Sequence, residues 1–381
     1  MRFLARRVGS SVRWYSRYLQ TTYNPASRLL RRPEFEPKSL FVITTPQHID
    51  TLLNELSGIS SEYEQLQIIA ASTDSIPSGG THRDGVSQLW LDEYITVNDS
   101  VRLEERDDDL EDNTGEESNG VIPVRANRPW KKMQTRLQIN LHNCDNSISA
   151  ITTSLANSAF YFRDLCFMFY TRSHGADQLI NANHNLAELT VTLPEQISPT
   201  GFKSWNKLEQ LSFDEDLVVT EHNHNLIKRI NGKSAAGYLE NCKRIMNLGS
   251  KDTKIFIELS NSSFQSDPRL YEVVAGGGGW GEKGKMLAIS PGCEINTGDS
   301  VKFFMLHPEE RYKGLTVPPE VQNASGLFVE TTVEEKEYRD AQHDEEKVVK
   351  NQFGFGSELG YTINGLQYNA GGSLTWIQLE Q

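Results

Sequence analysis

The sequence predicts an α/β to α+β protein, two domains built on mixed β-sheets flanked by helices. Three observations carry that prediction. A strand pattern, a helix pattern and a second strand pattern follow one another between residues 40 and 73. Short apolar alternating runs recur from there to the end of the chain. At 381 residues, with 37% apolar and 23% charged content, the chain has the length and composition for two globular cores.

Residues 1–33 read as an address. They carry eight arginines (Arg2, Arg6, Arg7, Arg13, Arg17, Arg28, Arg31 and Arg32), several serines and no acid, with Phe3, Leu4, Val8, Val12 and Trp14 spaced along a helix. That combination describes a mitochondrial transit peptide, and Arg13-Trp14-Tyr15-Ser16 has the form of a matrix-processing site, with cleavage near Trp14 or Tyr15. Setting those eight aside from the 38 basic residues leaves 30 against 51 acids. So acidic a body is a poor holder of phosphate backbones, whose binding depends on Lys and Arg, so direct nucleic-acid binding is not expected. No segment has the roughly 18 uninterrupted apolar residues of a membrane helix, so no span is expected. Cys144, Cys166, Cys242 and Cys293 are far apart with no C-x-x-C pair, which predicts free thiols.

The first domain is expected over residues 34–200. Leu40–Thr44 is a β-rich run, Ile49, Leu52, Leu53 and Leu56 recur at helical spacing, and Gln67–Thr73 is a second strand. Strand, helix and strand make a βαβ unit with its strands parallel. Val86–Val97 alternates into another strand. Nine acids and one basic residue between Glu104 and Gly120 predict a disordered insertion. Arg136–His142 is a half-buried strand, Ile148, Ile151, Leu155 and Ala159 fit one helical face, Phe160–Tyr170 is an aromatic-rich buried run, and Leu189–Leu193 alternates again.

Loop composition between Pro199 and Lys207 marks the boundary, and the second domain is expected over 201–381. Leu217–Thr220 and Leu226–Ile230 read as arms of a hairpin with Asn231-Gly232 as its turn dipeptide. A helix follows from Ser234 to about Leu248. Ile255–Leu259, Tyr271–Ala275, Met286–Ser290, Val301–Leu306 and Ser373–Leu379 read as strands. Val333–Val349 is expected as an exposed charged helix, an insertion, and the run from Asn351 to Gly360 as a glycine-rich turn.

The stretch around which the binding reading forms is Tyr271–Pro291. An apolar lead-in runs into Gly276, Gly277, Gly278 and Gly279, then Trp280, Gly281 and Gly284, then a second apolar run stopped by proline. Glycines framed by two strands predict a shaped loop. Its backbone N–H groups can form an anion nest, Trp280 offers a stacking face and Lys283 a charge, so the ligand-binding residues expected are Gly276, Gly277, Gly278, Gly279, Trp280 and Lys283. Gly279 to Gly284 also spells G-x-G-x-x-G, but a dinucleotide site needs a helix after it and a strand pattern follows instead.

Leu226-Ile-Lys-Arg-Ile-Asn-Gly-Lys-Ser-Ala-Ala-Gly-Tyr-Leu239 resembles the signature of the FIST C-terminal domain, with Ser234 where the family has proline. The opening βαβ is similar to the FIST N-terminal domain, Ala70 and Ala71 replacing the glycine and cysteine of its I-G-C-S-T run. The glycine-tryptophan stretch resembles fungal mitochondrial members, and Phe353–Gly360 resembles the closing motif. The resemblance implies a sensory module that binds a small ligand such as an amino acid.

Catalysis is not expected. His222 and His224 could face one side of a strand, but with no third ligand a metal is not expected. Ser72, Asp74 and His82 share one loop, where such residues usually serve turn chemistry. The expected protein is thus a non-enzymatic matrix sensor without cofactor, binding a small polar or anionic metabolite and acting through a protein partner. The alternative is a scaffold or accessory factor of mitochondrial gene expression, ribosome-associated, contacting its partner through Glu104–Gly120 and Val333–Val349.

Overall fold

The computed structural model describes residues 16–77, 84–102, 135–156, 168–171, 186–248, 253–260, 269–276, 284–290, 293–315, 318–319, 321, 324–333 and 345–379. Glu104–Gly120, His82 and the run from Gly277 to Lys283 lie outside them. The first half holds β1 (Arg17–Tyr23), β2 (Ser39–Thr44), α1 (Ile49–Glu62), β3 (Gln67–Ser72), β4 (Gly85–Leu91), β5 (Thr96–Arg102), β6 (Arg136–His142), β7 (Ile148–Ser154), β8 (Met168–Thr171), β9 (Leu186–Thr192) and β10 (Pro199–Trp205). The middle holds β11 (Leu208–Gln210), β12 (Leu217–Asn223), β13 (Leu226–Ile230), β14 (Lys233–Ser234), α2 (Ala235–Glu240), α3 (Lys243–Leu248), β15 (Lys254–Ser260), β16 (Arg269–Gly276), β17 (Leu287–Ile289) and β18 (Ser300–Leu306). The last part holds β19 (Gly326–Thr331), β20 (Lys347–Lys350), β21 (Gln352–Ser357), β22 (Tyr361–Ile363), β23 (Leu366–Tyr368) and β24 (Leu374–Leu379).

The βαβ unit forms as expected. β2 and β3 pair in parallel from Ser39↔Gln67 to Thr44↔Ser72, with α1 crossing between them. They belong to a six-stranded sheet of order β20-β1-β4-β2-β3-β8. Both faces of its central strands β4, β2 and β3 are buried, and their residues divide by parity. Leu40, Val42, Ile68, Ala70 and Trp90 pack with Ile49, Leu52, Leu56 and Ile59 of α1. Phe41, Ile43, Ile69, Ala71, Leu89 and Leu91 face the opposite way, into a core shared with two further sheets. Those are β10-β24-β19-β21 and β23-β22-β7-β6-β9-β5.

Helices flank the sheets far less than expected, because among the described residues three α-helices stand against twenty-four strands. Ile148, Ile151 and Leu155 fit a helical face, yet 148–154 is β7, paired residue by residue with β6 from Arg136↔Ser154 to His142↔Ile148. As a strand the run puts Ile148 on the exposed face and Ile151 on the buried one, an alternation set by pairing with the half-buried neighbour and not by the i, i+3, i+7 spacing. The charged segment expected as a helix ends in a strand, β20, which pairs with β1. Asn351–Gly360 is mainly β21, parallel to β19 from Gly326↔Gln352 to Thr331↔Ser357, with Phe353 and Phe355 buried. Its glycines mark close approach: a Cβ on Gly356 would lie 2.3 Å from Ser75 Oγ and 2.6 Å from Glu330 Cγ.

The pairing also groups residues 201–381 differently from one continuous unit. β24 pairs β10, β22 pairs β7 and β20 pairs β1, so the last strands complete the sheets begun in the first half. Between them, β12, β13, β17, β16, β15 and β18 pair in that cyclic order, and the β15–β18 pairing closes the ring. This six-stranded antiparallel barrel has its own core of Val219, Ile227, Ile230, Ile257, Leu287, Ile289, Val301, Phe303 and Met305, joined by Ala235 and Ala236 of α2. Closure leaves it no open sheet edge.

β1 includes Arg17, inside the segment expected as a leader over 1–33. Leu19 is buried and paired with Leu89, Gln20, Thr21, Thr22 and Tyr23 are buried and paired on both sides, and Leu29 and Leu30 pack under α1. Cleavage near residue 14 or 15 leaves this strand in the sheet, whereas cleavage at 33 removes it.

Candidate functional site

The barrel builds a cationic groove on its surface, and β-pairing explains why the cations converge. β12 and β13 form the expected hairpin, but its register shifts on both sides of Glu221: Val219 faces Ile230, Glu221 faces Arg229 and His222 faces Ile227. Thr220 and Lys228 are thus the extra residues of bulges, which bend a strand and re-aim side chains. Consecutive Lys228 and Arg229 both reach one carboxylate, with Lys228 Nζ 3.2 Å from Glu221 Oε1 and Arg229 Nε 3.2 Å from Glu221 Oε2. Asn231-Gly232 does not turn the β12–β13 hairpin. It joins β13 to β14, with positive φ at both residues (49° and 74°), the mirror-image turn that a two-residue connection favours.

That turn delivers Lys233 and Ser234 to the same place. Ser234 caps α2 by accepting from the Gly237 N–H, and its Oγ donates to the Lys285 carbonyl at 2.9 Å. Lys285 follows directly on Gly284 at the end of the glycine-tryptophan stretch, so the hydroxyl pins one foot of it. A groove of about 520 Å³ results, lined by Glu221, Lys228, Arg229, Gly232, Lys233, Ser234, Lys285 and Met286. Four cations face one carboxylate there, in a chain whose net charge is −13. Just outside it, Lys233 Nζ lies 2.7 Å from Glu215 Oε1; the hydrogen bond raises the lysine pKa and lowers that of the glutamate.

Of the residues expected to bind ligand, Gly277, Gly278, Gly279, Trp280 and Lys283 lie outside the described residues. Gly276 is described, and it ends β16 opposite Leu287. A Cβ there would meet Leu287 Cδ2 at 2.3 Å, so this glycine serves strand packing at the root of the loop. The two strands that frame the loop are paired, and β17 rather than an α-helix follows it, which removes the helix N-terminus a pyrophosphate needs. The basic lining was not anticipated. Its signal was the run Lys228-Arg229-x-x-x-Lys233, which looks like an ordinary solvated hairpin until the bulge register is known.

The other candidates hold no chemistry of that kind. His222 lies in β12 and His224 in the turn at φ 50°, and among the described residues no group of three His, Cys, Asp or Glu is arranged for a metal. Ser72 ends β3, its Oγ buried without a hydrogen-bond partner. Asp74 accepts from the Glu358 N–H at 2.8 Å, and burial pushes its carboxyl up to about 6. The neighbouring Ser75 Oγ donates to Glu330 Oε1 at 2.6 Å, which leaves Thr332 as donor to Ser75 across their 2.6 Å contact. That chain knits β19 and β21 to the end of β3. Among the described residues Cys144, Cys242 and Cys293 are free, and no helix is long and apolar enough to cross a membrane. In comparisons with known proteins, the chain matches no family model, no curated protein and no solved structure.

Proposed function

We propose that the protein binds a small polar or anionic metabolite at the barrel groove and passes its occupancy to a protein partner in the mitochondrial matrix. The observation that carries this reading is the convergence of Lys228, Arg229, Lys233 and Lys285 at the foot of the glycine-tryptophan loop. Glu221 occupies the position of an anion between Lys228 and Arg229. A ligand carboxylate or phosphate competes with it for the same donors, and planar guanidinium forks suit both. The expected contacts of Gly276 to Gly279, Trp280 and Lys283 with the ligand stay part of this reading, and all of them but Gly276 lie outside the described residues. The arginine-rich, acid-free leader and the FIST resemblance of Leu226–Leu239 support the matrix location and the sensor role.

Calorimetric titration of the protein with phosphate, pyrophosphate, citrate and amino acids tests it. One class of anion is expected to bind, with affinity falling about tenfold in Lys228→Ala and in Arg229→Ala, the size of one charge-assisted hydrogen bond. Glu221→Gln is expected to tighten binding, because it removes the internal competitor. Absence of binding at millimolar concentrations, together with co-sedimentation of the protein with mitochondrial ribosomes, would transfer the case to the scaffold reading.

A further inference from the structure

We propose that the chain is processed between Tyr15 and Ser16, and that Asp92 is the built receptor for the new N-terminus. Two constraints bracket the position. Upstream, residues 1–15 contain Arg2, Arg6, Arg7 and Arg13 and no acid. Downstream, β1 begins at Arg17 and is paired on both sides, so a cut within it takes a strand out of the sheet. The processing pattern Arg13-Trp14-Tyr15-Ser16 ends just ahead of that strand, and at Ser16 the structure places a carboxylate. The Ser16 backbone N–H donates to Asp92 Oδ2 at 3.0 Å, and the Asp92 N–H returns a bond to the Ser16 carbonyl at 3.2 Å.

A second element holds Asp92 in place. Gln196, in the 3-10 turn Glu195–Ile197, donates from Nε2 to Asp92 Oδ1 at 3.2 Å, and the Arg17 guanidinium donates to the Gln196 carbonyl. Gln196 is 7% exposed, and its side-chain Oε1 is buried with no hydrogen-bond partner. An uncut chain offers this cluster one N–H. Hydrolysis adds water across the Tyr15–Ser16 bond, hydroxyl to the Tyr15 carboxylate and proton to the Ser16 amine, which then carries a positive charge and three N–H donors. The charge pairs with Asp92, and the extra donors suit a site that has an acceptor to spare. A matrix peptidase meets the bond on the imported, unfolded chain, so the pair forms as the sheet closes. This inference rests on the matrix location proposed above and is independent of the ligand groove.

Incubating the full chain with mitochondrial matrix extract and reading the product N-terminus by mass spectrometry tests the first half. Ser16 is the expected first residue; an uncut chain, or any other first residue, overturns the proposal. For the second half, the folded product is labelled with a limiting acylating reagent, which reacts only with neutral amines. Pairing with a carboxylate is expected to slow labelling of the Ser16 amine about tenfold relative to the Asp92→Asn product, one pKa unit of protection. Equal rates in the two folded products, checked by circular dichroism, overturn the receptor. Gln196→Leu, which keeps Asp92 but removes its second partner, is expected to fall between them.

Discussion

Two side-chain positions show how local chemistry here sets measurable stability. Asp74 loses water on burial, the largest influence on it, so its carboxyl rises from 3.8 to about 6. The native state therefore binds a proton that the unfolded chain has released. Stability is highest below pH 4 on this account and is lost as pH rises to about 6. Asp74→Asn keeps an oxygen to accept from the Glu358 N–H and cannot ionise. Urea titrations across pH 4–7 are expected to show the wild type losing about 2 kcal/mol relative to the variant over that window, and parallel curves would refute the assignment. Gly356 is the steric counterpart. An alanine methyl at 2.3 Å from Ser75 Oγ and 2.6 Å from Glu330 Cγ has to displace groups tied into the Ser75–Glu330–Thr332 chain. Gly356→Ala is expected to lower stability by about 2–3 kcal/mol, read as a drop in urea midpoint with unchanged slope.

At the level of elements, Ser234 joins three of them, ending β14, capping α2 and holding the Lys285 carbonyl before β17. Ser234→Ala is expected to destabilise the barrel by about 1 kcal/mol through the lost cap. It should also weaken anion binding severalfold, because the loop foot is released; unchanged affinity would separate the cap from the site. Elements of this kind were legible where pattern and neighbours agreed. The apolar runs Leu40–Thr44 and Gln67–Thr73, with Ile49, Leu52, Leu53 and Leu56 at helical spacing between them, prescribed the βαβ unit. The β12 and β13 runs prescribed a hairpin. Glycine misled, because Gly354 and Gly356 read as turn formers while their use is to let β21 pass beneath Pro77 and Ser75. In a regular strand Lys228 and Arg229 would point to opposite faces, and only a bulge, which has no sequence period, turns both toward Glu221. Residues 148–154 lacked enough repeats to fix a period by themselves.

For the whole molecule, partners distant in sequence decide the architecture, and local pattern carries no information about them. Nothing local to Leu374–Leu379 says that it pairs with β10 and β19, leaving the barrel over 217–306 inserted between strands of another body. That insertion has a thermodynamic consequence. The barrel core and the three-sheet core are distinct clusters, and the ring of pairings that closes the barrel uses none of the strands of the other body. Each core can then be lost without first breaking the other's sheets, so urea unfolding is expected in two transitions. Phe303, fully buried in the barrel, assigns them: Phe303→Ala removes about 3–5 kcal/mol and should move one midpoint only. An anion held in the proposed groove would belong to the same body. At a hundredfold excess over its dissociation constant it adds about 2.7 kcal/mol to whichever unit holds the groove. The transition that Phe303→Ala lowers is therefore the one that ligand should raise. Hydrogen exchange followed by peptide should show protection gained in 217–306 and none in 39–72. One concerted transition that responds equally to both would mean that the two cores are coupled through the contact of Phe256 and Leu306 with Ala370. Occupancy of the groove would in that case be felt directly at the βαβ unit.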